Sequence, residues 1–450
     1  MSKFEKILLT IFFVEVFIGG GGRLIDFGIL SIRQVLFILV ILTFATRIIK
    51  EKAYFNKEIN TFIRINPLTI GIYGLIIWFF VSALMGIING NPLSIIVMDF
   101  FRVSFFGVYF PLAYYISEER FTKQRIISLL KYSALAVAIF TISIAVLGKT
   151  VFSANFLPFY RFMNTIMNDD LFFRPSNSVF YKSHFYVLIG LILSLNALLS
   201  KKYTKIDIYN VILCSISILW SETRGFLVAF VVCVLMIIAL DIKIVTDPIK
   251  GLVQKYKNLV KNKQLIKKSI ILMIVIISVP FLYQHMTLER FQQDAVVEVP
   301  KPDDEEENKE VKKEVNDVSV NARLEFILDS KDILLSNPVL LVVGHGYGTE
   351  IAGRLNGIEM SFLDILVEQG IIGLSIWLFL CLIFLLNYHK AYKRNFNITT
   401  DDRSLIAAFI GVVVLTNINP FINNPIGITF FILVLIISQN TAELSKFKRI

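Results

Sequence analysis

The sequence predicts an all-α integral membrane protein with about twelve transmembrane helices. The 450 residues are 55% hydrophobic with a mean hydropathy of +0.68, and apolar runs long enough to cross roughly 30 Å of hydrocarbon recur along almost the whole chain. The runs are continuous in Ile, Leu, Phe and Val rather than alternating in polarity. Helices, and not barrel strands, must therefore satisfy the backbone hydrogen bonds in lipid. A soluble globular protein is excluded.

Twelve apolar segments separated by charged breaks give the predicted helices in chain order. The first follows Lys3 and Lys6 as a signal peptide would, but it contains Glu15 and lacks a small-residue cleavage site, so we expect a retained helix. The segments are 7–20, 28–46, 68–88, 94–116, 127–147, 184–200, 207–221, 225–240, 269–285, 362–386, 404–418 and 426–439.

The distribution of Lys and Arg predicts that both termini are cytoplasmic. In that orientation the seven inner segments together hold 28 Lys and Arg residues, and translocation of these residues is disfavoured. The outer loops shorter than about sixty residues hold only Arg23, Lys149, Arg161, Arg174, Lys182 and Arg224. Topology thus explains the net charge of +10 better than a nucleic-acid partner, which we do not expect.

The helices divide the chain into three parts. Residues 1–206 hold the first six helices, 207–386 form a core, and 387–450 hold the last two. A large extracytoplasmic loop, 286–360, lies between helices 9 and 10 of the core. Within it, 298–318 is almost all charge, Pro and Val, which predicts a disordered insert.

Three further segments are predicted from local composition. The Lys-rich inner loop 241–268 is expected to be an interfacial helix, and the outer segment 149–183, like the large loop, could form a lid over a site. Beyond the insert, an amphipathic helix is predicted from the spacing of apolar residues, with Pro338 just past its end. Those residues are Leu324, Ile327, Leu328, Ile333 and Leu334.

The cysteines and histidines do not predict a metal centre or a cofactor. All three cysteines fall inside apolar runs, where they behave as small hydrophobes. The histidines are scattered without ligand spacing. These residues are Cys214, Cys233, Cys381, His184, His285, His345 and His389.

A tight outer turn between two spans carries the first candidate site residue, Arg224. The turn runs Trp-Ser-Glu-Thr-Arg-Gly over residues 220–225. An arginine near the membrane interface can hold a phosphate with its planar fork. The alternative is an arginine that only ends a helix pair.

A second candidate region begins at Arg323 and continues to a glycine-rich turn. Gly344, His345, Gly346, Tyr347 and Gly348 follow about twenty residues later. Such a turn lets backbone N–H groups approach an anion, although its spacing is neither a P-loop nor a Rossmann fingerprint. The turn could equally be structural, and His345 could be a surface histidine, a ligand or a base.

Carboxylates near the outer end of the tenth span form the third region. Glu359, partly desolvated by apolar neighbours, could accept a proton from a hydroxyl, or it could be an exposed loop-end carboxylate. Asp364 and Glu368 share one helix face and could instead line a cavity. Inside the fourth span, Asp99 and Arg102 lie one turn apart and could pair in the bundle interior, where charges are costly.

The order of these motifs resembles the O-antigen ligase and polymerase superfamily. The resemblance rests on Thr223-Arg224-Gly225, Arg323 with Phe326, Asn337-Pro338, the turn from Gly344 to Gly348, and Glu359 before Gly370 and Gly373. It covers roughly residues 208–386. Ligases of this superfamily resemble one another in a short motif. It is a His followed by Asn, Ser or Gln, then nine residues, then Gly-x-x-Gly, Thr or Tyr. Here Glu359-Met360 stands in that place, which favours a polymerase.

The resemblance implies inverting, metal-independent glycosyl transfer from an undecaprenyl-diphosphate-linked oligosaccharide on the extracytoplasmic side of the inner membrane. In that chemistry Arg224 and Arg323 would bind the diphosphate, and Glu359 would be the general base. Arg102, Arg174, Gly344, Gly346 and His345 are candidates for substrate binding, and apolar grooves would hold the lipid tails. A chain-length regulator and a flippase would be partners.

Three alternatives remain open from the sequence. A ligase would perform the same transfer onto another acceptor, and Glu359 is the residue that disfavours it. A lipid-linked oligosaccharide flippase or other transporter would also use twelve spans, but it would place its charges near the bilayer midplane. A scaffold without catalytic activity is the third.

Overall fold

The computed structural model describes residues 1–22, 24–27, 30–57, 60–174, 176–241, 318–355, 357–394 and 398–447. This part of the chain is mostly helical, and the helices are numbered in chain order over the described residues. The α-helices are α1 Lys3–Ile18, α2 Ile32–Lys50, α3 Pro67–Ile88, α4 Leu93–Ser104, α5 Tyr109–Tyr115, α6 Lys123–Lys149, α7 Phe156–Ile166, α8 His184–Leu199, α9 Lys205–Trp220, α10 Arg224–Leu240, α11 Val318–Ser336, α12 Pro338–Val343, α13 Ser361–Lys393, α14 Thr400–Leu415 and α15 Pro425–Phe447.

Two short antiparallel hairpins and two 3₁₀ turns complete the described secondary structure. The first hairpin pairs β1 (Asp26–Phe27) with β2 (Leu30–Ser31), and the second pairs β3 (Leu171–Arg174) with β4 (Ser178–Tyr181). The 3₁₀ turns are Thr61–Ile63 and Phe105–Val108.

Six helical segments among the described residues are long and apolar enough to cross a membrane, judged by length and composition. They are Ile32–Lys50, Pro67–Ile88, Leu93–Tyr115, Lys123–Lys149, Ser361–Lys393 and Pro425–Ser445, and α8 and α10 are shorter apolar helices. An all-α membrane protein is consistent with this architecture. The number of twelve spans, the orientation and the division into three parts stay predictions.

Eleven of the twelve predicted apolar segments coincide with helices of the structure. The exception, 269–285, lies outside the described residues. So do the predicted insert up to residue 317 and the predicted interfacial helix from residue 242 onward.

The fourth predicted span is broken rather than continuous. The α-helical backbone of α4 ends at Ser104, a 3₁₀ turn follows, and α5 resumes at Tyr109. Pro111 lies in the first turn of α5, where a proline is tolerated because the N–H groups of a first turn have no partner within the helix. In the middle of one unbroken helix, the same proline would remove a hydrogen bond and its ring would clash with the preceding turn. A hydropathy window does not detect such a break, because all the pieces are apolar.

The centre of the bundle is formed by α8 and α15. In α15, 83% of the most apolar window is buried, against 28% to 44% in the other candidate spans. The Tyr186 hydroxyl of α8 donates to the Ile426 carbonyl of α15 at 2.7 Å. The remaining spans each keep an exposed apolar face, which is the surface that lipid would cover.

The helix predicted beyond the charged insert is present as α11, but only the later part of its predicted apolar face, Ile333 and Leu334, packs into a core. Phe326, Ser330 and Leu334 are buried, whereas Leu324 and Ile327 are 53% and 45% exposed. Phe326 and Leu334 pack with Ile351, Ile358 and Val367 in a small second core. Both faces of α11 carry apolar residues at helical spacing, and the partners from residues 351–367 decide which one is buried.

Candidate functional site

Three charged side chains meet at the start of α13. Arg323 Nη2 lies 3.7 Å from Glu359 Oε2, and Arg354 Nη1 lies 3.6 Å from Glu359 Oε1. The three side chains keep 27%, 38% and 48% of their surface exposed, in the order Arg323, Glu359, Arg354. We call them the Glu359 triad. Glu359 therefore lies between two guanidinium groups and is partly exposed, which agrees with the predicted loop-end carboxylate and not with the alternative of desolvation by apolar neighbours.

Arg354 is held in place by contacts with α11. Its guanidinium carbon lies 4.9 Å from the centre of the Phe326 ring, a cation–π distance. The tight turn before it closes through the bridge between Ile351 and Arg354, and the Ala352 N–H donates to Asp329 of α11 at 2.6 Å. The turn and the helix thus present Arg354 and Arg323 to the same carboxylate.

The segment between α14 and α15, residues 416–424, contacts Arg323 directly and packs against chain neighbours of Arg224 and Glu359. Arg323 Nη2 donates to the Ile418 carbonyl at 3.4 Å, and the Ser361 N–H, two residues after Glu359, donates to the Thr416 carbonyl at 3.0 Å. Gly225, next to Arg224, packs so closely that an added Cβ would lie 2.9 Å from Asn419 Oδ1. Distant parts of the chain are thereby brought to one place.

Arg174 braces the turn that carries Arg224. Its Nε donates to the Ser221 carbonyl at 2.8 Å and its Nη2 to the Thr223 hydroxyl at 3.0 Å. The guanidinium also lies 5.4 Å from the Phe180 ring centre. In the same turn Glu222 has a left-handed φ of 48° and accepts from the hydroxyls of Ser176 and Ser178. These contacts fix the start of α10.

Arg102 is the centre of a buried ionic group, which we call the Arg102 cluster. Its Nη2 lies 3.3 Å from Asp99, 3.5 Å from Asp364 and 3.4 Å from Glu368. The predicted pairing of Asp99 with Arg102 is confirmed. Asp364 and Glu368, which the sequence placed on one helix face, both point at the same guanidinium from α13.

A short chain of hydrogen bonds joins the Arg102 cluster to the Glu359 triad. Asp364 accepts from the Ile358 N–H at 3.3 Å and from the Asn423 amide at 2.7 Å. The Ser361 hydroxyl donates to Asn423 Oδ1 at 3.0 Å. Ile358 and Ser361 flank Glu359, so the buried cluster fixes the backbone on both sides of that carboxylate.

The glycine-rich turn packs into the helix bundle and uses its N–H groups there. From residue 344 to 348 the five N–H groups donate in order to the carbonyls of Leu340, Val367, Glu368 and Ser82 and to the Asp99 carboxylate. All three glycines have φ between 76° and 99°. This geometry does not support a phosphate cradle, so the substrate-binding role of Gly344 and Gly346 remains only a prediction from the sequence.

His345 lies in the same turn, and burial lowers the pKa of its imidazole, although the Ile333 backbone carbonyl opposes the shift. Next to it Tyr347 is fully buried, which raises the pKa of its phenol. Asn89 and Asn91 donate to the carbonyls of His345 and Tyr347 at 2.8 and 2.9 Å. The turn is thus tied to the loop between α3 and α4.

Comparison with known proteins shows two similarities. A family profile described as O-antigen ligase (Wzy_C) matches residues 209–378. An O-antigen polymerase from Shigella flexneri is 28% identical over 435 residues, which cover 95% of this chain and 93% of that relative.

This chain is similar to the O-antigen ligase and polymerase superfamily.

The superfamily match spans α9 to α13 and includes Arg224, Arg323 and Glu359. It agrees with the range of about 208–386 over which the sequence motifs carried the resemblance. The roles of the candidate residues are not tested by this match. Among the described residues, no group of three or more His, Cys, Asp or Glu side chains could hold a metal ion, and metal independence stays a prediction.

Sequence reasoning missed two polar residues of the candidate site, Arg354 and Asn423. Arg354 stands in an unremarkable Ala-Gly-Arg-Leu stretch, and only the fold brings it to Glu359. Asn423 belongs to the run Thr-Asn-Ile-Asn-Pro-Phe-Ile-Asn-Asn-Pro at residues 416–425. Such a cluster of Asn and Pro between two apolar helices predicts a structured turn and was the available signal.

Proposed function

We propose that this protein is a polymerase that joins undecaprenyl-diphosphate-linked oligosaccharide repeat units into a surface polysaccharide. The observation that carries the proposal is the meeting of Arg323 with Glu359 beside the segment that also packs against Gly225. The relative that bears the name O-antigen polymerase aligns over almost the whole chain, which supports the same activity.

The proposed reaction is an inverting glycosyl transfer without a metal ion. A hydroxyl oxygen of the acceptor sugar attacks the anomeric carbon of the donor, and the bond from that carbon to the diphosphate oxygen breaks. Glu359 takes the hydroxyl proton as general base. Undecaprenyl diphosphate leaves with the bonding electron pair.

Arginines replace the metal in this proposal. Arg323 and Arg224 bind the diphosphate and stabilise the negative charge that develops as it departs. Arg174, whose guanidinium holds the turn before Arg224, positions that arginine. Arg102 acts from the interior by fixing the backbone around Glu359 through Asp364.

The reaction takes place on the extracytoplasmic side of the bacterial inner membrane. The placement of Lys and Arg supports an orientation in which the segments around Arg224, Arg323 and Glu359 are outside. The polyprenyl tails lie in apolar grooves between helices, and a flippase delivers the lipid-linked units. A chain-length regulator is the expected second partner.

A ligase is the second candidate, because the matching family profile carries that description. It would use the same donor and the same arginines with a different acceptor. Glu359-Met360 stands where the ligases of the superfamily have His-Asn, and this difference favours the polymerase.

Deletion of the gene separates the candidates. Loss of a polymerase leaves single repeat units on the surface acceptor, whereas loss of a ligase leaves long polymer on the undecaprenyl carrier. Loss of a flippase would instead leave lipid-linked units inside, where an added glycosidase cannot reach them. We expect single repeat units on a gel, and either other pattern would contradict the proposed function.

A further inference from the structure

The Glu359 triad places one carboxylate between two cations at an accessible position. Each carboxylate oxygen faces a different guanidinium, at 3.6 and 3.7 Å. A sugar hydroxyl that approaches Glu359 competes with these two contacts for the carboxylate. The same carboxylate that the proposed reaction needs as a base is therefore occupied in this structure.

The two arginines match a diphosphate better than they match a single carboxylate. Together they carry two positive charges against one negative charge in the triad, and a diphosphate offers more negative charge and more acceptor oxygens than Glu359 does. Exposed ion pairs at such distances contribute little to stability. Stabilisation of the fold is thus a weak reason for the convergence of these two guanidinium groups.

The contacts that position Arg354 are independent of Glu359. Its stacking on Phe326 and the hydrogen bond between Ala352 and Asp329 do not depend on Glu359. Almost half of its side chain is exposed. If Glu359 turned away, Arg354 would keep its position and present its guanidinium to another anion.

We propose that Arg354 is a diphosphate-binding residue, and that the donor diphosphate replaces Glu359 at Arg354 and Arg323. This exchange releases the Glu359 carboxylate to face the acceptor hydroxyl, so donor binding and exposure of the base are one event. The inference rests on the proposed function, since it takes Glu359 as the base and the diphosphate as the leaving group.

Binding of undecaprenyl diphosphate to the purified full-length protein in detergent tests the exchange. Calorimetric titration compares the wild type with Arg354→Gln, Arg354→Lys and Glu359→Gln, and inorganic diphosphate serves as a second probe. Lys331→Gln and Glu350→Gln change exposed residues near the site and are the matched controls. Melting temperatures verify that each variant is folded.

Opposite effects of the two triad variants are the expected result. Arg354→Gln weakens binding about tenfold, because one charge-assisted contact is lost, and Arg354→Lys recovers part of it. Glu359→Gln binds as tightly as the wild type or more tightly, because the competing carboxylate is gone, yet it makes no polymer. A structural ion pair would not give this separation of binding from synthesis.

Three outcomes would contradict three separate claims: the role of Arg354, the exchange at Glu359 and the proposed function. Unchanged binding by folded Arg354→Gln contradicts the role of Arg354. Weaker binding by Glu359→Gln contradicts the exchange. A folded wild-type protein that binds neither probe contradicts the proposed function itself. If inorganic diphosphate binds with the same dependence on Arg354, the site recognises the diphosphate group rather than the lipid tail.

Discussion

At the scale of single residues, Arg102 is the candidate arginine with the largest charge imbalance, and only 13% of its side chain is exposed. One guanidinium faces three carboxylates from two helices. Removal of one partner from a buried ionic group leaves the others without compensation, and this costs more than the group itself contributes. Arg102 is thus a stabilising residue as well as the anchor of the Glu359 backbone.

We expect Arg102→Met to lower the free energy of unfolding by about 3–5 kcal/mol. Thermal melting in detergent measures the loss, with Arg161→Met at an exposed position of α7 as the control. Adding Glu368→Gln to Arg102→Met should recover part of it, because one uncompensated carboxylate is removed. Equal melting of the Arg102 and Arg161 variants would show that the cluster does not stabilise the fold.

His345 gives a pH dependence whose sign follows from its burial. The pKa of the folded imidazole is lowered, so the unfolded chain binds a proton more readily as the pH falls below about 6.5. The stability that the neutral imidazole contributes is present above that pH and is lost on acidification. We expect the melting temperature of His345→Gln to fall less than that of the wild type between about pH 7.5 and 5.5.

His389→Gln, at an exposed position of α13, is the control for this comparison. An equal acid-induced fall in the wild type and in His345→Gln would remove His345 as a source of the pH dependence.

At the scale of elements, the glycine-rich turn packs against both α3 and α13. Gly346 lies against the backbone of Gly86 in α3, and Gly344 and Gly370 lie against each other where α13 is kinked. Gly370 has a φ of 67° within that helix. Close approach of backbones, together with left-handed torsions, explains why glycine is required here.

Gly346→Ala should reduce the amount of folded protein far more than Gly353→Ala. Both glycines have positive φ, 87° and 76°, so both substitutions carry a similar backbone strain. Only at Gly346 would the added Cβ overlap the α3 backbone, whereas Gly353 has nothing within 4 Å. Fluorescence-detected size-exclusion chromatography compares the yields, and similar yields would mean that close packing on Gly86 is unimportant.

Helices were predictable from the sequence where hydropathy alone determines their existence and bounds. The runs that became α3 and α6 end at polar or charged breaks, and the predicted bounds differ from the helices by only a few residues. The break before α5 was missed because Pro111 acts locally inside an apolar run. The buried face was wrong in the first half of α11, because its packing partners come from residues 351–367, which periodicity within α11 cannot identify.

At the scale of the whole molecule, the side of the membrane on which the site lies is the largest untested prediction. It follows from the distribution of Lys and Arg. We expect a Cys introduced at Glu350 to react with a membrane-impermeant maleimide in intact cells, and a Cys at Lys202 to react only after lysis. Cys214, Cys233 and Cys381 would first be replaced by Ser. Reaction at Lys202 in intact cells would reverse the orientation.

The candidate site was only partly predictable, because its arrangement depends on contacts between distant parts of the chain. Arg224, Arg323 and Glu359 could be selected because their order matched a superfamily. Their arrangement depends on residues 416–424, which contact Arg323, Ser361 and Gly225 from another part of the chain. Arg354 and Asn423 carry no local motif, so only the fold reveals them.

Polymer synthesis by purified protein from lipid-linked repeat units tests the central claim most directly. Arg224→Gln, Arg323→Gln and Glu359→Gln are compared one at a time with the wild type and with Glu350→Gln, and chain length is read on a gel. We predict full ladders from the wild type and Glu350→Gln, and a rate at least about a hundredfold lower from each of the other three. Normal ladders from all three, at equal amounts of folded protein, would contradict the claim.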